Sequence, residues 1–204
     1  MSKFLVGIFF LTSSLTAFSQ EVNNHLVILI NEGKTAELKG NLLAAEDAYM
    51  SALTIDSNSV SVHVLLGKLY YELDKFNLAL AEFNRALFLD PYNSEVYFNR
   101  ANLYVDLNNN NIAISDYSNS ILLDPSNMQA YMARGFVYAQ QEKYEQAIKD
   151  FSVAIELNHD EAVAYYNFMR VQGVEPLQKN CIFAEQKVKA GDMQASLVFN
   201  TFCF

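Results

Sequence analysis

The three histidines of this 204-residue chain are the first side chains to test for catalysis or metal binding. His25, His63 and His159 are far apart in the sequence and share no common phase of the repeat described below. A zinc site needs clustered ligands, so we expect no metal site, and His63 is interpreted as a packed core residue. Gly-rich phosphate loops, Gly-x-Ser-x-Gly and Cys-His pairs at motif spacing are missing from the sequence. The sequence therefore predicts a protein that is not an enzyme and uses no cofactor.

Two cysteines, Cys181 and Cys203, stand near the C-terminus. Two cysteines in an exported chain favour one disulfide, and the alternative is a pair of buried free thiols. A tight turn at Gly191-Asp192 would make the helices on either side antiparallel. The bridge would then staple a C-terminal helix over the last part of the fold.

A period of 34 residues runs through most of the chain. One column of small residues has this spacing, and so do three further columns of small or aromatic residues. The four columns are Gly33, Gly67, Ala101 and Gly135; Ala45, Ala79, Ala113 and Ala147; Tyr49, Phe83, Tyr117 and Phe151; and Ala52, Ala86, Ser120 and Ala154. A fixed period of this length is typical of a helix-turn-helix repeat array.

The columns predict pairs of helices rather than strands. Repeat positions 4, 8 and 11 fall on one helix face, where small residues allow close approach and aromatic residues fill the remaining space. Pro91 and Pro125 follow second helices and end them. The predicted pairs are 22–36 with 41–55, 60–73 with 76–89, 94–107 with 111–123, 128–141 with 144–157, and 162–172 with 177–189, followed by a last helix near 192–202.

These columns resemble the tetratricopeptide repeat, with repeats that start at Leu26, Val60, Ser94, Met128 and Ala162. The second repeat carries the family pattern in Leu66, Gly67, Tyr70, Ala79, Phe83, Ala86 and Pro91, and His63 replaces the usual aromatic residue. The first repeat is degraded, and Gly173 and Pro176 interrupt the last. The resemblance implies an all-α fold, a right-handed α-α superhelix of helix-turn-helix repeats with a C-terminal capping helix.

Two arginines take a repeat position where the family has leucine. They are Arg100 and Arg134, and Asp116 and Asp150 lie on the facing helices. An unpaired buried arginine would be costly. We therefore interpret these residues as ion pairs inside the stack, and a ligand-binding role is the alternative.

The N-terminus has the pattern of a signal peptide. Lys3 precedes an apolar run from Phe4 to Leu11, and Ala17-Phe18-Ser19 has the small-x-small form of a cleavage site. The rival is an uncleaved anchor, but the run is short for a span of about 20 apolar residues. We expect a signal peptide over 1–19, a repeat array over 20–191, a capping helix over 192–204, and a periplasmic or extracellular location with no membrane span.

The chain is acidic, with a formal net charge of −9. An acidic surface repels phosphate backbones, so we expect no nucleic-acid partner. The predicted partner is a neutral or basic protein or peptide.

In tetratricopeptide arrays, the first helices of the repeats line a concave groove that binds partners. The resemblance places an apolar and aromatic face there, with polar residues around it, and exposed apolar patches often mark binding sites. The predicted groove residues are Val64, Lys68, Tyr71, Phe98, Asn102, Val105, Met132, Phe136, Tyr166 and Arg170. The alternative is that these residues pack against one another or against the C-terminal tail.

We therefore expect an exported, non-enzymatic interaction module that holds an extended peptide or a partner helix in its groove. The alternative is a structural component of an envelope complex that uses its convex face or self-association. The C-terminal run from Cys181 to Cys203 also resembles the ends of exported repeat proteins of the Bacteroidetes group.

Overall fold

The computed structural model describes the backbone of residues 2–163, 166 and 175–203, and the side chains of residues 20–163, 166 and 179–203. In this part of the chain all regular secondary structure is helical. The chain forms two compact units, Met1–Leu89 and Asp90–Phe204. The predicted all-α class and the first four predicted helix pairs are confirmed. The predicted helix 162–172 lies largely outside the described residues.

The first unit contains two helix pairs. They are α1 (Ser2–Leu38) with α2 (Leu42–Ile55), and α3 (Val60–Glu72) with α4 (Phe76–Leu89). The predicted start of the mature chain, Gln20, lies within α1. The processing of this segment stays a prediction.

The second unit contains two further pairs and a C-terminal pair. They are α5 (Ser94–Asp106) with α6 (Asn110–Leu123), α7 (Met128–Gln140) with α8 (Tyr144–Leu157), and α9 (Glu175–Lys189) with α10 (Met193–Phe202). Residues 159–163 are also helical. Helices α2 to α8 begin and end within one residue of the bounds predicted from the sequence.

A left-handed residue closes each of the first four repeats' inner turns. Gly40, Asp74, Asn108 and Glu142 occupy the same repeat position, with φ values of 71°, 55°, 57° and 59°. The next N–H in each turn bonds back to the carbonyl five residues earlier, as in Lys75 N–H to Tyr70 O at 2.8 Å. This pattern satisfies the last carbonyls of the first helix. Gly, Asn and Asp are the residue types that adopt this conformation most readily, so Glu142 is the position where the sequence gives no signal of it.

Small residues in the first helix of each pair receive an aromatic ring from the second. A Cβ atom added to Gly33, Gly67 or Gly135 would lie 2.3 Å from Tyr49, 2.5 Å from Phe83 or 2.8 Å from Phe151. No side chain fits in that space without movement of the ring or the helix. The glycines therefore set how closely the paired helices approach.

Two buried apolar clusters form the core of the second unit. One joins Ala101, Ala113 and Tyr117 to Ala133 and Val137 on α7. The other joins α7 and α8 to the C-terminal helices, with Met132, Phe136 and Phe151 beside Val198 and Phe202. The C-terminal pair is thus packed onto the last full repeat.

Candidate functional site

Two buried ion pairs occupy the positions where charged chemistry was predicted. Arg100 donates from Nε and Nη2 to the two carboxylate oxygens of Asp116, at 2.7 and 2.9 Å. Arg134 does the same to Asp150, at 2.8 and 2.7 Å. Two parallel hydrogen bonds of this kind fix the relative orientation of the groups. The interpretation as ion pairs inside the stack is confirmed.

Arg134 also links neighbouring repeats, since its Nη1 donates to Ser118 Oγ on α6 at 2.8 Å. Its guanidinium lies 5.8 and 5.9 Å from the ring centres of Tyr131 and Tyr138. Burial lowers the pKa of Arg134, but the hydrogen bonds and charge of Asp150 outweigh it and raise that pKa above its ordinary value. Burial also raises the pKa of Asp150, against the opposing effect of Arg134. These contacts tie the guanidinium to α6, α7 and α8.

His63 is buried on α3, as predicted for a packed core residue. Its Nδ1 lies 2.6 Å from Glu82 Oε2, and its Nε2 lies 3.1 Å from the Ser57 carbonyl oxygen. Both ring nitrogens are therefore engaged within the first unit. No group of three metal-binding side chains forms among the described residues.

A second hydrogen-bonded group joins α2 and α3. Tyr70 Oη donates to Glu46 Oε1 at 3.0 Å, and Lys75 Nζ lies 3.1 Å from Glu46 Oε2. Burial, followed by the contact with Glu46, raises the pKa of Tyr70 to about 12. Tyr70 thus contributes a polar contact as well as volume.

The predicted groove residues of the first unit lie on α3. Lys68 is exposed and Tyr71 is partly exposed, with its ring 6.1 Å from that of Phe76. Val64 is buried, so its predicted exposure is wrong. Helix α3 packs against both α2 and α4.

The predicted residues on α5 form a partly exposed face of the second unit. Phe98, Asn102 and Val105 are each partly exposed. Asn102 Oδ1 accepts a hydrogen bond from Tyr117 Oη, and the Phe98 ring lies 5.9 Å from the Tyr117 ring. The face combines apolar surface with an amide that is fixed by the core.

The predicted exposure of the groove residues on α7 and of Tyr166 in the interrupted fifth repeat is wrong. Met132, Phe136 and Tyr166 are only 1%, 7% and 3% exposed. They belong to one buried cluster with Ala184 of α9 and Phe202 of α10. The C-terminal helices pack on this region, which is the alternative that the sequence left open. Arg170 lies outside the described residues.

A disulfide joins Cys181 on α9 to Cys203 at the end of α10, with a Cα–Cα distance of 5.6 Å. Gly191, with φ of 86°, forms the turn that makes the two helices antiparallel. Asp192 accepts a hydrogen bond from the Ala195 N–H and so begins α10. The bridge therefore closes the C-terminal pair at the end opposite its turn.

Two features of the C-terminal pair were not predicted from the sequence. The Phe202 ring stacks on Tyr166, with centroids 4.1 Å apart and planes 3° apart. The Asn180 side chain is fully buried, and neither its Oδ1 nor its Nδ2 has a hydrogen-bond partner among the residues that the structure describes. The only signal for the first was the need for the apolar residues of α10 to be covered.

Within the described residues, no helix combines the length and the apolar character that a membrane span requires.

Comparisons with known proteins agree with the repeat geometry. The family model described as TPR repeat matches residues 67–108 and 101–142, and the model described as tetratricopeptide repeat matches residues 128–161. The helix pairs over these residues are tetratricopeptide repeats. In the curated mouse protein neutrophil cytosol factor 2 (Mus musculus), 74 residues are 34% identical to this chain. That match covers 36% of this chain and only 14% of the mouse protein.

Solved structures share the fold at low sequence identity. A structure of MamA is 22% identical and has a TM-score of 0.66, covering 84% of this chain and 92% of that one. Pseudomonas aeruginosa pilF is 19% identical with a TM-score of 0.70, covering 90% and 77%. A tetratricopeptide repeat protein from Parabacteroides merdae is 22% identical with a TM-score of 0.58, covering 86% and 73%. The fold supports a protein–protein interaction module.

Proposed function

We propose that this tetratricopeptide-repeat protein is an exported, non-enzymatic module that binds a segment of another protein on the first helices of its repeats. The observation that carries the proposal is the face of α5. It presents Phe98 and Val105 partly exposed beside Asn102, whose amide oxygen is held by Tyr117. An apolar contact next to an oriented amide suits an extended peptide, because the amide can bond to the peptide backbone.

The charge of the chain bears on the choice of partner. With a formal net charge of −9, the protein favours a neutral or basic segment and disfavours nucleic acid. Lys68 on α3 and Asn102 on α5 each lie on the first helix of a repeat, where they can make polar contacts to a partner. We therefore expect binding to weaken with added salt if the segment is basic.

A second candidate function is assembly through the outer helices. Leu122 on α6 is 77% exposed, and Phe88 holds the same repeat position on α4 and is 76% exposed. Large apolar side chains at one repeat position favour a surface that packs on a neighbouring protein. This candidate uses the second helix of each repeat, so the two proposals differ in the helix that meets the partner.

Photo-crosslinking distinguishes the two. A photoreactive phenylalanine analogue is placed at Phe98 in one variant and at Leu122 in a matched variant of the same unit. Both proteins are expressed in the native host, irradiated and analysed for crosslinked proteins. The groove proposal expects a defined partner from position 98, reproduced with the purified partner, and none from position 122. Crosslinks from position 122 alone would support assembly and reject the groove.

Export is tested by the N-terminus of the native protein. We expect mass spectrometry to find Gln20, free or cyclised, as the first residue, because Ala17-Phe18-Ser19 has the form of a cleavage site. Recovery of a chain that still begins with Met1 would reject cleavage.

A further inference from the structure

We propose that α10 is a displaceable occupant of a helix-binding surface on the last full repeat, and that the Cys181–Cys203 bridge controls its exchange for a partner helix. The partner class is an amphipathic helix with an aromatic anchor. The inference rests on the proposed function as a protein-binding module and deepens it by giving this end of the chain a class of ligand.

The first observation is the pattern of α10 itself. Ala195, Val198 and Phe202 are buried, while Met193 is 84% exposed. The buried residues follow the spacing i, i+3 and i+7, which is the anchor pattern of a helix bound in an apolar groove. The contact between α10 and the rest of the unit is thus of the same kind as a contact with a partner helix.

The second observation is the aromatic anchor. Phe202 stacks on Tyr166 and meets Phe151 edge-on, with centroids 5.9 Å apart and planes at 90°. Tyr166 holds a repeat position that the family resemblance assigns to partner binding. The side chain that fills this site is therefore supplied by the chain's own C-terminus.

The third observation is the way α10 is held. The helix has ten residues, and an isolated helix of that length is marginal in water. It is joined to α9 by the Gly191 turn at one end and by the bridge at the other.

The fourth observation is the unpaired amide of Asn180. This side chain lies one helical turn from the buried Ala184, and therefore on the face of α9 that meets the cluster. A buried amide without partners is unfavourable. With α10 packed in place, the buried Asn180 amide destabilises the fold. Release of α10 would let water or a polar group of a partner bond to that amide, which removes the unfavourable free energy.

Reduction of the bridge requires a dithiol. One thiolate attacks a sulfur atom of the bridge, forms a mixed disulfide and releases one cysteine as a thiolate. The second thiol then displaces the other cysteine and becomes part of the oxidised dithiol. Two electrons and two protons reach the protein, which gains two thiols. In the reduced protein α10 keeps its packing but is joined to α9 only through the Gly191 turn.

Hydrogen exchange tests the control by the bridge. The full mature chain is measured oxidised and after reduction with dithiothreitol. We expect the amides of residues 195–202 to exchange about 100-fold faster after reduction, from the loop-closure effect of a bridge of this size. The amides of Ala139 in α7 and Ala147 in α8 are expected to keep their rates. Unchanged rates in α10, or an equal rise in α7 and α8, would overturn the proposal.

Variants of Asn180 provide a matched pair. Asn180→Leu removes the unpaired amide at similar volume and is expected to slow the exchange of α10 in the reduced chain. Asn180→Asp places a charge in the same site and is expected to speed it. If Asn180→Leu speeds the opening of α10, then the amide favours the closed form and this part of the reasoning is wrong.

Peptide binding tests the helix-binding surface. The probe is a fluorescent peptide of residues 192–202, and the protein is the full chain with Cys203→Ser and Phe202→Ala, which weaken its own α10. We expect binding to this variant and none to the oxidised wild-type chain. A peptide with Phe202→Ala is expected to lose binding at least tenfold, and one with Met193→Ala to keep it. Failure of the unmodified peptide to bind would overturn the surface, while the crosslinking test on α5 would stand unaffected.

Discussion

Replacing Gly67 with alanine tests how closely the paired helices must approach. The added Cβ would lie 2.5 Å from Cε1 and 2.6 Å from Cδ1 of Phe83. Carbon atoms pack best at about 3.5–4.0 Å, so the ring or the helix must move by about 1 Å. Overpacking of this kind costs about 1–3 kcal/mol.

Helix propensity acts in the opposite direction. Alanine is about 1 kcal/mol more favourable than glycine inside a helix. We therefore expect Gly67→Ala to lower the free energy of unfolding by about 1 kcal/mol, because the crowding outweighs the propensity. In a Phe83→Leu background the ring is gone, and the same Gly67→Ala change is expected to raise the free energy of unfolding. The sign of the effect should reverse.

Urea unfolding followed by far-ultraviolet circular dichroism measures all four proteins of this cycle. The matched control is Ala101→Gly in the third repeat, where the native alanine is fully buried beside Tyr117. That change should cost about 1 kcal/mol or more, from propensity and the lost methyl group. Stabilisation by Gly67→Ala in the wild-type background would refute the argument that contact with Phe83 sets the helix spacing.

Three further predictions test the core and the polar contacts. Phe136→Ala is expected to lower the free energy of unfolding by about 3–5 kcal/mol because this ring is buried, and Phe98→Ala by much less; thermal melts that rank them equally would contradict this. Arg134→Leu should cost about 3 kcal/mol by leaving Asp150 buried and unpaired, and adding Asp150→Ala should recover part of it in urea unfolding. Tyr70 has its pKa raised to about 12, so its protonated form is favoured in the folded chain. The contribution of protonated Tyr70 to the free energy of unfolding should be complete below about pH 10 and lost as the pH rises towards about 12. In Tyr70→Phe this loss of stability at high pH should be absent.

The helices could be predicted from the sequence because the period repeats the same packing problem. Gly33, Gly67 and Gly135 each meet an aromatic ring of the next helix. A column of small residues therefore has a direct physical meaning, and it fixes the phase of both helices. The inner turns were harder to predict. Glu142 adopts positive φ although its residue type is not among those enriched in that conformation.

The predicted groove residues differ in exposure, and their role in binding stays a prediction; Val64 on α3 is buried. Phe98 and Val105 on α5 keep partial exposure, as expected. Met132 and Phe136 on α7 do not, because α9 and α10 pack against the last full repeat. The path of a non-repeating segment depends on tertiary contacts that no column of the sequence records. The sequence allowed both an open groove and a groove covered by the C-terminal tail. The structure was needed to decide between them for α7.

The departures from the period carry the information that is specific to this protein. In repeats 2 to 4 the glycines and the ion pairs follow the needs of packing, and the partly exposed face of α5 is the proposed binding surface. The C-terminal pair has a bridge, a stacked aromatic pair and an unpaired Asn180, and none of these is required to end a helical array. A polar or neutral helix face would cap the array at lower cost than a buried amide does. The C-terminal pair keeps the unfavourable buried amide of Asn180. We therefore propose that this pair controls partner binding and that the repeats before it form the framework.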